Sequence, residues 1–264
     1  MILLRDGLQI GYDDVGSGLP IVFLHGFPHD RRLWIPQLGP MVDRCRCIAP
    51  DLRGFGETRG TGPTTVDRYA DDVRELLDGL EIPRAVICGL SMGGYTALAF
   101  WRRHPTRVRA LVLADTKAAA DNEEGREKRV KMIALARERG SSAVADAQLS
   151  GMVGKTTREK QPGVVEAVRE MMVAAPVDGI VGALEALMTR PDSTPTLATI
   201  DVPTLVIVGE EDALTPPKEA RLLHEGIAGS QLVILEQAGH VSNLERPAAF
   251  NHVLSEFLSR LTYE

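Results

Sequence analysis

The chain has 264 residues, of which 44% are hydrophobic, and its formal net charge is −6. This length fits one large α/β domain, or a core with an insertion. The absence of a basic block disfavours nucleic-acid binding, and no apolar run approaches the roughly 20 residues that span a bilayer. Residues 1–7 lack the basic and apolar segments of a signal peptide, so we expect a cytoplasmic protein.

The three cysteines, Cys45, Cys47 and Cys88, fit a reducing compartment. Cys45-x-Cys47 has no second cysteine pair elsewhere in the sequence, so a zinc site is not expected. No other residue pattern implies a metal or an organic cofactor. The sequence says nothing about the oligomeric state.

Short apolar runs alternate with helical patterns along the chain. Residues 2–14 are expected to form two strands around a turn at Asp6-Gly7. Later buried strands are expected at 21–24, 45–49, 85–88, 108–114, 204–208 and 231–235. Helical patterns cover 31–42, 64–80 (capped by Thr64 or Thr65), 95–103, the residues after Pro216-Pro217, and 247–260. This order predicts a mostly parallel sheet with helices on both faces and an antiparallel edge from the first two strands.

The alternation stops between residues 117 and 199. Helical patterns occur there at 123–139, 141–151, 163–174 and 177–189, without a strand candidate. We therefore predict an α/β core made of residues 1–116 and 200–264 with a helical lid inserted at 117–199. Methionines concentrate in this segment, and they either pack its core or shape an apolar pocket.

The pattern Gly89-x-Ser91-x-Gly93 lies between a predicted strand and a predicted helix. This is the arrangement of a nucleophile elbow, which holds a serine at a sharp turn. Small residues are needed two positions before and after the serine, because its backbone is strained and closely packed. The following helix directs its positive N-terminus at the serine, where an anion would be stabilised. Alone, this short pattern also occurs by chance in Gly-rich turns.

Four predicted strands end in residues that carry chemistry, namely His25, Ser91, Asp212 and His240. In an open parallel sheet these ends lie at the edge where ligands bind. The order Ser, Asp, His is that of the α/β-hydrolase triad, in which an acid orients the base that activates the serine. Other acids close to strand ends could replace Asp212, and they are Asp115, Glu210 and Glu211. His25 is the rival base to His240.

These residues identify the chain as similar to the α/β-hydrolase superfamily over nearly its full length. Within it, the chain most resembles small bacterial carboxylesterases and hydrolases like 3-oxoadipate enol-lactonase, and cofactor-free haloperoxidases and perhydrolases share its patterns. An elbow serine argues against haloalkane dehalogenases and epoxide hydrolases. The motifs that carry the resemblance are His25-Gly26-Phe27-Pro28, Asp51-Leu52-Arg53-Gly54-Phe55-Gly56, Gly89-Leu90-Ser91-Met92-Gly93-Gly94, Gly209-x-x-Asp212 and Gly239-His240.

The resemblance also implies roles outside the triad. It places the oxyanion hole at the backbone N–H groups of Phe27 and Met92. His25 resembles the histidine that shapes its own loop, and an Arg–Asp pair is expected to brace the loop that contains Asp51 and Arg53. His29 is expected at the pocket mouth. Candidate residues for the substrate pocket are His25, Trp34, Met132 and Met152.

We therefore expect hydrolysis of a small carboxylic ester through an acyl-enzyme on Ser91, without a cofactor or metal. A lactonase acting on an enol-lactone or acyl-homoserine lactone and a carbon–carbon bond hydrolase are the alternatives within this chemistry, and perhydrolysis is a plausible side activity. A ligand-binding module on the same fold is the alternative from another class. The expected partner is a small-molecule ester or lactone, with no nucleic acid and no membrane.

Overall fold

The computed structural model describes residues 1–5, 7–60 and 64–261. Its strands form one sheet with the bounds β1 Ile2–Arg5, β2 Leu8–Gly16, β3 Leu19–Leu24, β4 Cys45–Pro50, β5 Ala85–Leu90, β6 Val108–Ala114, β7 Thr204–Gly209 and β8 Gln231–Leu235. Asp6 of the predicted turn and residues 262–264 of the predicted core lie outside the described part of the chain.

The strand order across the sheet is β1-β2-β4-β3-β5-β6-β7-β8. β2 pairs antiparallel with β1 and β4, and every other neighbouring pair is parallel. The predicted antiparallel edge is thus confirmed. Because β4 lies on one side of β3 and β5 on the other, the winding direction reverses between β3 and β5. A reversal of this kind opens a crevice beyond the carboxyl ends of the two strands, where α/β proteins bind ligands.

Helices surround the sheet. Their bounds are α1 Ile35–Met41, α2 Val66–Gly79, α3 Met92–Arg103, α4 Glu123–Met152, α5 Lys155–Lys160, α6 Pro162–Ala174, α7 Val177–Met188, α8 Thr194–Leu197, α9 Pro217–Gly226, α10 Ser242–Glu245 and α11 Pro247–Ser259. Thr65 caps α2 by accepting a hydrogen bond from the N–H of Arg68, as predicted. The predicted helix at 31–42 instead begins with a 3₁₀ turn at Arg31–Trp34, before Pro36 in the first turn of α1.

The core has two halves, because successive side chains of a strand point to opposite faces of the sheet. In β3, Val22 and Leu24 pack on the side covered by α2, α3 and α9. Ile21 and Phe23 of the same strand pack on the other side, with α1 and α11. Apolar side chains on both faces explain why the strand sequences are continuously hydrophobic instead of alternating.

Between β6 and β7 the elements of this segment are all helices joined by short loops, and no strand occurs there, as the sequence predicts. α4 contains a break at Gly140, whose φ of 77° interrupts the helix between the two segments predicted at 123–139 and 141–151. α5 and α8 were not predicted, because α5 is a polar segment of six residues and α8 has only four. α4 packs against both α6 and α7, so these helices form one layer.

The loop after β4 is held by two acid–base pairs. Asp51 accepts hydrogen bonds from the side chain of Arg31, at 2.5 Å, and from the backbone N–H of Glu57. Arg53 pairs with Asp72 of α2 at 2.6 Å, and both side chains are buried. The loop is therefore braced by Arg–Asp pairs as expected, but each partner comes from another element and Asp51 does not pair with Arg53.

Among the described residues, no single helix is long and apolar enough to cross a membrane; α6 and α7 pass that test only as a pair, with a 95° bend between them. No three His, Cys, Asp or Glu side chains in the described ranges are grouped to hold a metal ion.

The Arg53–Asp72 pair gives a stability prediction. Asp72→Ala should lower the free energy of unfolding by about 3 kcal/mol, because it leaves a buried guanidinium without its carboxylate. The control is Glu124→Ala, which removes an exposed carboxylate paired with Lys128 at 2.7 Å and should leave the free energy of unfolding nearly unchanged. Urea unfolding of both variants measures the difference. Equal losses would show that the buried pair does not hold the loop.

Candidate active site

Ser91 lies at the turn between β5 and α3, with φ 53° and ψ −111°, a conformation that non-glycine residues rarely adopt. A Cβ on Gly89 would overlap the carbonyl oxygen of Gly93, and a Cβ on Gly93 would overlap that of Leu24. The glycines of the elbow are therefore required by direct backbone contact, as the spacing predicts.

Hydrogen bonds from the neighbouring strand fix the strained serine. The N–H of Ser91 donates to the carbonyl of Ala114 at 2.9 Å, and the Thr116 hydroxyl donates to the carbonyl of Ser91 at 2.9 Å. Because α3 begins at Met92, the serine also lies at the positive end of a twelve-residue helix.

The structure brings Ser91, His240 and Asp212 into one hydrogen-bonded line. Ser91 Oγ lies 2.8 Å from His240 Nε2, and His240 Nδ1 lies 2.8 Å from Asp212 Oδ2. His240 and Asp212 are buried, whereas Ser91 retains partial solvent exposure. Since a carboxylate only accepts, His240 carries its proton on Nδ1 and presents the lone pair of Nε2 to the serine hydroxyl.

Asp212 is held by its own loop. Its Oδ1 accepts from the N–H groups of Leu214 and Thr215, and its Oδ2 accepts from the Thr215 hydroxyl at 2.7 Å. The same hydroxyl lies 3.2 Å from His240 Nδ1, so Thr215 touches both members of the pair. The sequence analysis missed Thr215. Its signal was an aspartate followed three positions later by a threonine before two prolines, which is typical of a side chain that caps its own turn.

The charges of this pair stabilise each other. Burial alone would lower the pKa of His240, but the charge and hydrogen bond of Asp212, with Asp115 and Glu245, raise it above its ordinary value. Burial alone would raise the pKa of Asp212, but the charge and hydrogen bond of His240 lower it. At neutral pH Asp212 is therefore ionised and favours a proton on the imidazole.

The three alternative acids have other contacts. Asp115 accepts from the N–H of Gly209 and from the Ser242 hydroxyl at 2.5 Å. Burial and the charge of Asp212 raise the pKa of Asp115 well above its usual range, whereas the pKa of Asp212 is lowered. Glu210 accepts from the N–H of Gln237, and Glu211 accepts from Thr156. Only Asp212 is hydrogen-bonded to His240 among these acids in the described structure.

His25 is buried and engaged through both ring nitrogens. Nδ1 lies 2.9 Å from the carbonyl oxygen of Gly26, and Nε2 accepts from the N–H of Leu52 at 2.8 Å. It links the loop after β3 to the loop after β4. These contacts match the loop-shaping role that the resemblance implies, and they leave no ring nitrogen for the roles of base or pocket residue.

The loop after β3 lies directly against the elbow. A Cβ on Gly26 would come within 3.4 Å of Ser91 Cβ and 3.0 Å of the Leu90 side chain. Phe27 therefore begins next to Ser91, with its ring edge-on to Phe55 at a centroid distance of 6.5 Å. Met92, the other expected oxyanion donor, is the first residue of α3. The two residues lie at the carboxyl ends of β3 and β5, on either side of the crevice.

The remaining pocket candidates lie in different places. Trp34 is fully buried between Phe23 and Phe250, at ring-centroid distances of 5.0 and 6.0 Å, so it packs within the core, and its part in the substrate pocket stays a prediction. Met152, the last residue of α4, is also packed in the core. Met132 is partly buried on α4 and packs against the α2–α3 side of the core.

The helical insertion contacts the loops that carry the acid and the base. Glu211 binds the N–H and hydroxyl of Thr156 at the start of α5, and buried Glu245 accepts from the N–H groups of Gly154 and Gly239 at 2.8 and 2.9 Å. A Cβ on Gly154 would lie 2.6 Å from Glu211 Oε2 and 2.9 Å from the nitrogen of Gly239. The insertion therefore touches the backbone immediately before His240. The sequence analysis did not single out Glu245 or Gly154.

A family model described as the alpha/beta hydrolase fold matches residues 20–247. The chain is similar to 3-oxoadipate enol-lactonase 2 of Acinetobacter baylyi, with 31% identity across 91% of this chain and 88% of that protein. It superposes on a thermophilic esterase from Thermogutta terrifontis, solved with malate bound, with a TM-score of 0.94, 36% identity, and coverage of 97% and 95%. It superposes on the enol-lactonase from Burkholderia xenovorans LB400 with a TM-score of 0.92, 32% identity, and coverage of 98% and 100%.

The match begins within β3 and covers β4 to β8, the elbow, and the loops of Asp212 and His240, and the sheet order and strained elbow serine agree with it. The chain belongs to the α/β-hydrolase family.

Proposed function

We propose that this protein is a serine hydrolase that cleaves small carboxylic esters through an acyl-enzyme on Ser91. The observation that carries the proposal is the unbroken line of hydrogen bonds from Ser91 Oγ through His240 to Asp212. A serine hydroxyl is a weak nucleophile, and this arrangement supplies a base within proton-transfer distance and an acid that orients the base.

In the first half of the reaction, Ser91 Oγ attacks the ester carbonyl while His240 Nε2 takes the hydroxyl proton. The carbonyl oxygen becomes an oxyanion, which we assign to the N–H groups of Phe27 and Met92. Each such donor is worth about 10²–10³ in rate in other hydrolases. His240 then gives its proton to the alcohol oxygen as the C–O bond breaks, and the acyl group stays on Ser91.

In the second half, water takes the place of the alcohol. His240, now neutral, removes a proton from the water as its oxygen attacks the acyl carbon. The second oxyanion collapses, the bond to Ser91 Oγ breaks, and His240 returns its proton to the serine. Asp212 stays ionised throughout and stabilises the imidazolium that forms twice in the cycle.

Lactone hydrolysis is the second candidate, because a lactone is a cyclic ester that the same steps would open. It is favoured by the relatives, of which two curated proteins and one solved structure are named as enol-lactonases. After acylation by a lactone the alcohol remains attached to the acyl group, so an open pocket beside Ser91 is needed to hold it.

We also propose that the helices of residues 117–199 act as a lid that shapes the substrate pocket. The support is the contact of Gly154 and Thr156 with Glu245 and Glu211, which couples the insertion to the loops of His240 and Asp212. A shift of the insertion would therefore displace these two loops.

The first prediction tests the nucleophile. Ser91→Ala should lower kcat for p-nitrophenyl butyrate by at least about a thousandfold, because no acyl-enzyme can form. The control is Ser150→Ala, at an exposed position on α4, which should retain full activity. Steady-state assays with p-nitrophenyl esters from acetate to laurate, beside a panel of lactones, separate the two candidate activities. If the protein binds the ester but does not hydrolyse it over many turnovers, the ligand-binding alternative is favoured instead.

The second prediction concerns pH. His240 acts as a base only when neutral, and its pKa is raised, so kcat/KM should rise with pH and reach half its maximum above pH 6.5. Asp212→Asn removes the charge that raises this pKa while burial remains. The half-maximum should therefore move to lower pH, and kcat should fall by about 10³–10⁴ because the tautomer is no longer fixed.

The matched control for that experiment is Asp115→Asn. The amide can keep the contacts to Gly209 and Ser242. The half-maximum should then move less than in Asp212→Asn, because Asp115 acts on His240 through its charge alone, whereas Asp212 also accepts its hydrogen bond. If the pH of half-maximal kcat/KM shifts more in Asp115→Asn than in Asp212→Asn, Asp115 and not Asp212 is the acid that acts on His240.

The third prediction tests the lid. Gly154→Ala places a methyl group against Glu211 and the backbone before His240, so kcat/KM should fall at least about tenfold as the loops move. Gly163→Ala is the control, because its added Cβ meets no atom within 4 Å in α6. Equal activity of the two variants would count against coupling between the insertion and the triad.

A further inference from the structure

His29 has polar atoms that the proposed mechanism does not use. Its side chain is buried, with 1% of its surface exposed, and neither ring nitrogen has a hydrogen-bond partner among the described residues. Its expected place at the pocket mouth stays a prediction. An unpaired polar group in the interior costs free energy, which a ligand with a matching polar atom would recover.

His29 belongs to the loop that packs against Ser91. It is two residues after Phe27, and its N–H closes the turn by donating to the carbonyl of Gly26, the residue packed against Ser91. His25 is engaged with backbone atoms and His240 with Ser91 and Asp212, so of these three histidines His29 is the one whose ring has no hydrogen-bond partner in the described part of the chain.

His29 is a neutral group at any pH at which the triad works. Burial, together with the charges of His25 and His240, lowers its pKa to about 3. A neutral imidazole offers one N–H donor and one lone pair. That combination complements a hydroxyl group, which accepts one hydrogen bond and donates another, better than it complements a carboxylate or a hydrocarbon.

We propose that His29 is a substrate-positioning residue that hydrogen-bonds to a hydroxyl group on the acyl part of the substrate, and that the enzyme therefore prefers hydroxyacyl esters to hydrocarbon esters of the same shape. This inference rests on the proposed function, because it requires an acyl group bound at Ser91. His29 takes no part in proton transfer, which Ser91, His240 and Asp212 complete without it.

The test compares two isosteric substrates, p-nitrophenyl 3-hydroxybutyrate and p-nitrophenyl 3-methylbutyrate, which share a leaving group and differ by a hydroxyl in place of a methyl. The unmodified protein should have the higher kcat/KM for the hydroxy ester. His29→Leu and His29→Phe should lower this preference about tenfold, as expected for loss of one hydrogen bond. His29→Gln, which keeps one donor and one acceptor, should retain most of it.

The control is His252→Gln, an exposed histidine on α11 whose replacement should leave the preference unchanged. Thermal melts identify the variants that fold. Because two apolar replacements and one polar replacement are made, the substrate preference can be measured in more than one folded variant. A residue that only packs would change kcat/KM for both substrates equally. An unchanged ratio of the two kcat/KM values in a folded Leu or Phe variant therefore overturns the inference. The inference also falls if His29→Gln loses the preference as fully as the apolar variants do.

The failure of the proposed function is distinguishable from that result. If the unmodified protein hydrolyses neither ester above the level of Ser91→Ala, both the function and the inference fall. If it hydrolyses both esters and Ser91→Ala neither, but the ratio is insensitive to His29, the function stands and only the inference falls.

Discussion

The buried contact between His240 and Asp212 is the interaction on which the rest of the site depends. An imidazole that gains and loses a proton and an ionised carboxylate are both removed from water here. Burial alone would drive both towards their neutral forms. The pair remains polar because every Asp212 oxygen is hydrogen-bonded and because Thr215 touches both side chains. The loops of both residues must therefore be held to within a fraction of an ångström.

That precision comes from backbone packing as much as from side chains. Gly209, at the end of β7, lies against the carbonyl oxygens of Ala238 and Gly239, and Gly239 lies against the nitrogen of Gly154. The acid loop, the base loop and the insertion thus meet at three glycines with no room for a Cβ. Ser91 is held in the same manner by Gly89 and Gly93, so both halves of the site are positioned by contacts between main chains.

The sheet, the elbow and the positions of Ser91, Asp212 and His240 could be predicted because each produces a local pattern. Continuous apolar runs indicate buried strands, and strand ends in a parallel sheet share one edge. α4 is interrupted at Gly140, between the two predicted segments, because this glycine has a positive φ that is not helical. These features depend on residues close together in the sequence.

Features that depend on residues far apart were missed or changed. Asp51 and Arg53 are neighbours, yet their partners are Arg31 and Asp72, and no periodicity relates such positions. Glu245 follows His240 closely, but its role as acceptor for Gly154 across 91 residues appears only when the insertion is folded onto the core. The sequence pattern also did not reveal the burial of Trp34 and His25, which pack in the core and bind backbone atoms respectively.

Two carboxyls close to His240 illustrate how environment divides roles between identical groups. Asp212 accepts from two backbone N–H groups, a hydroxyl and the imidazole, and these bonds keep it ionised. Asp115 has fewer such bonds, lies fully buried, and faces the charge of Asp212, so its pKa is raised well above its usual range. Asp115 joins the N–H of Gly209 to the hydroxyl of Ser242 and so links the loops of Asp212 and His240, and its contacts do not include the proton on His240. The site thus gains a structural link from a second acid while only one acid acts on the base.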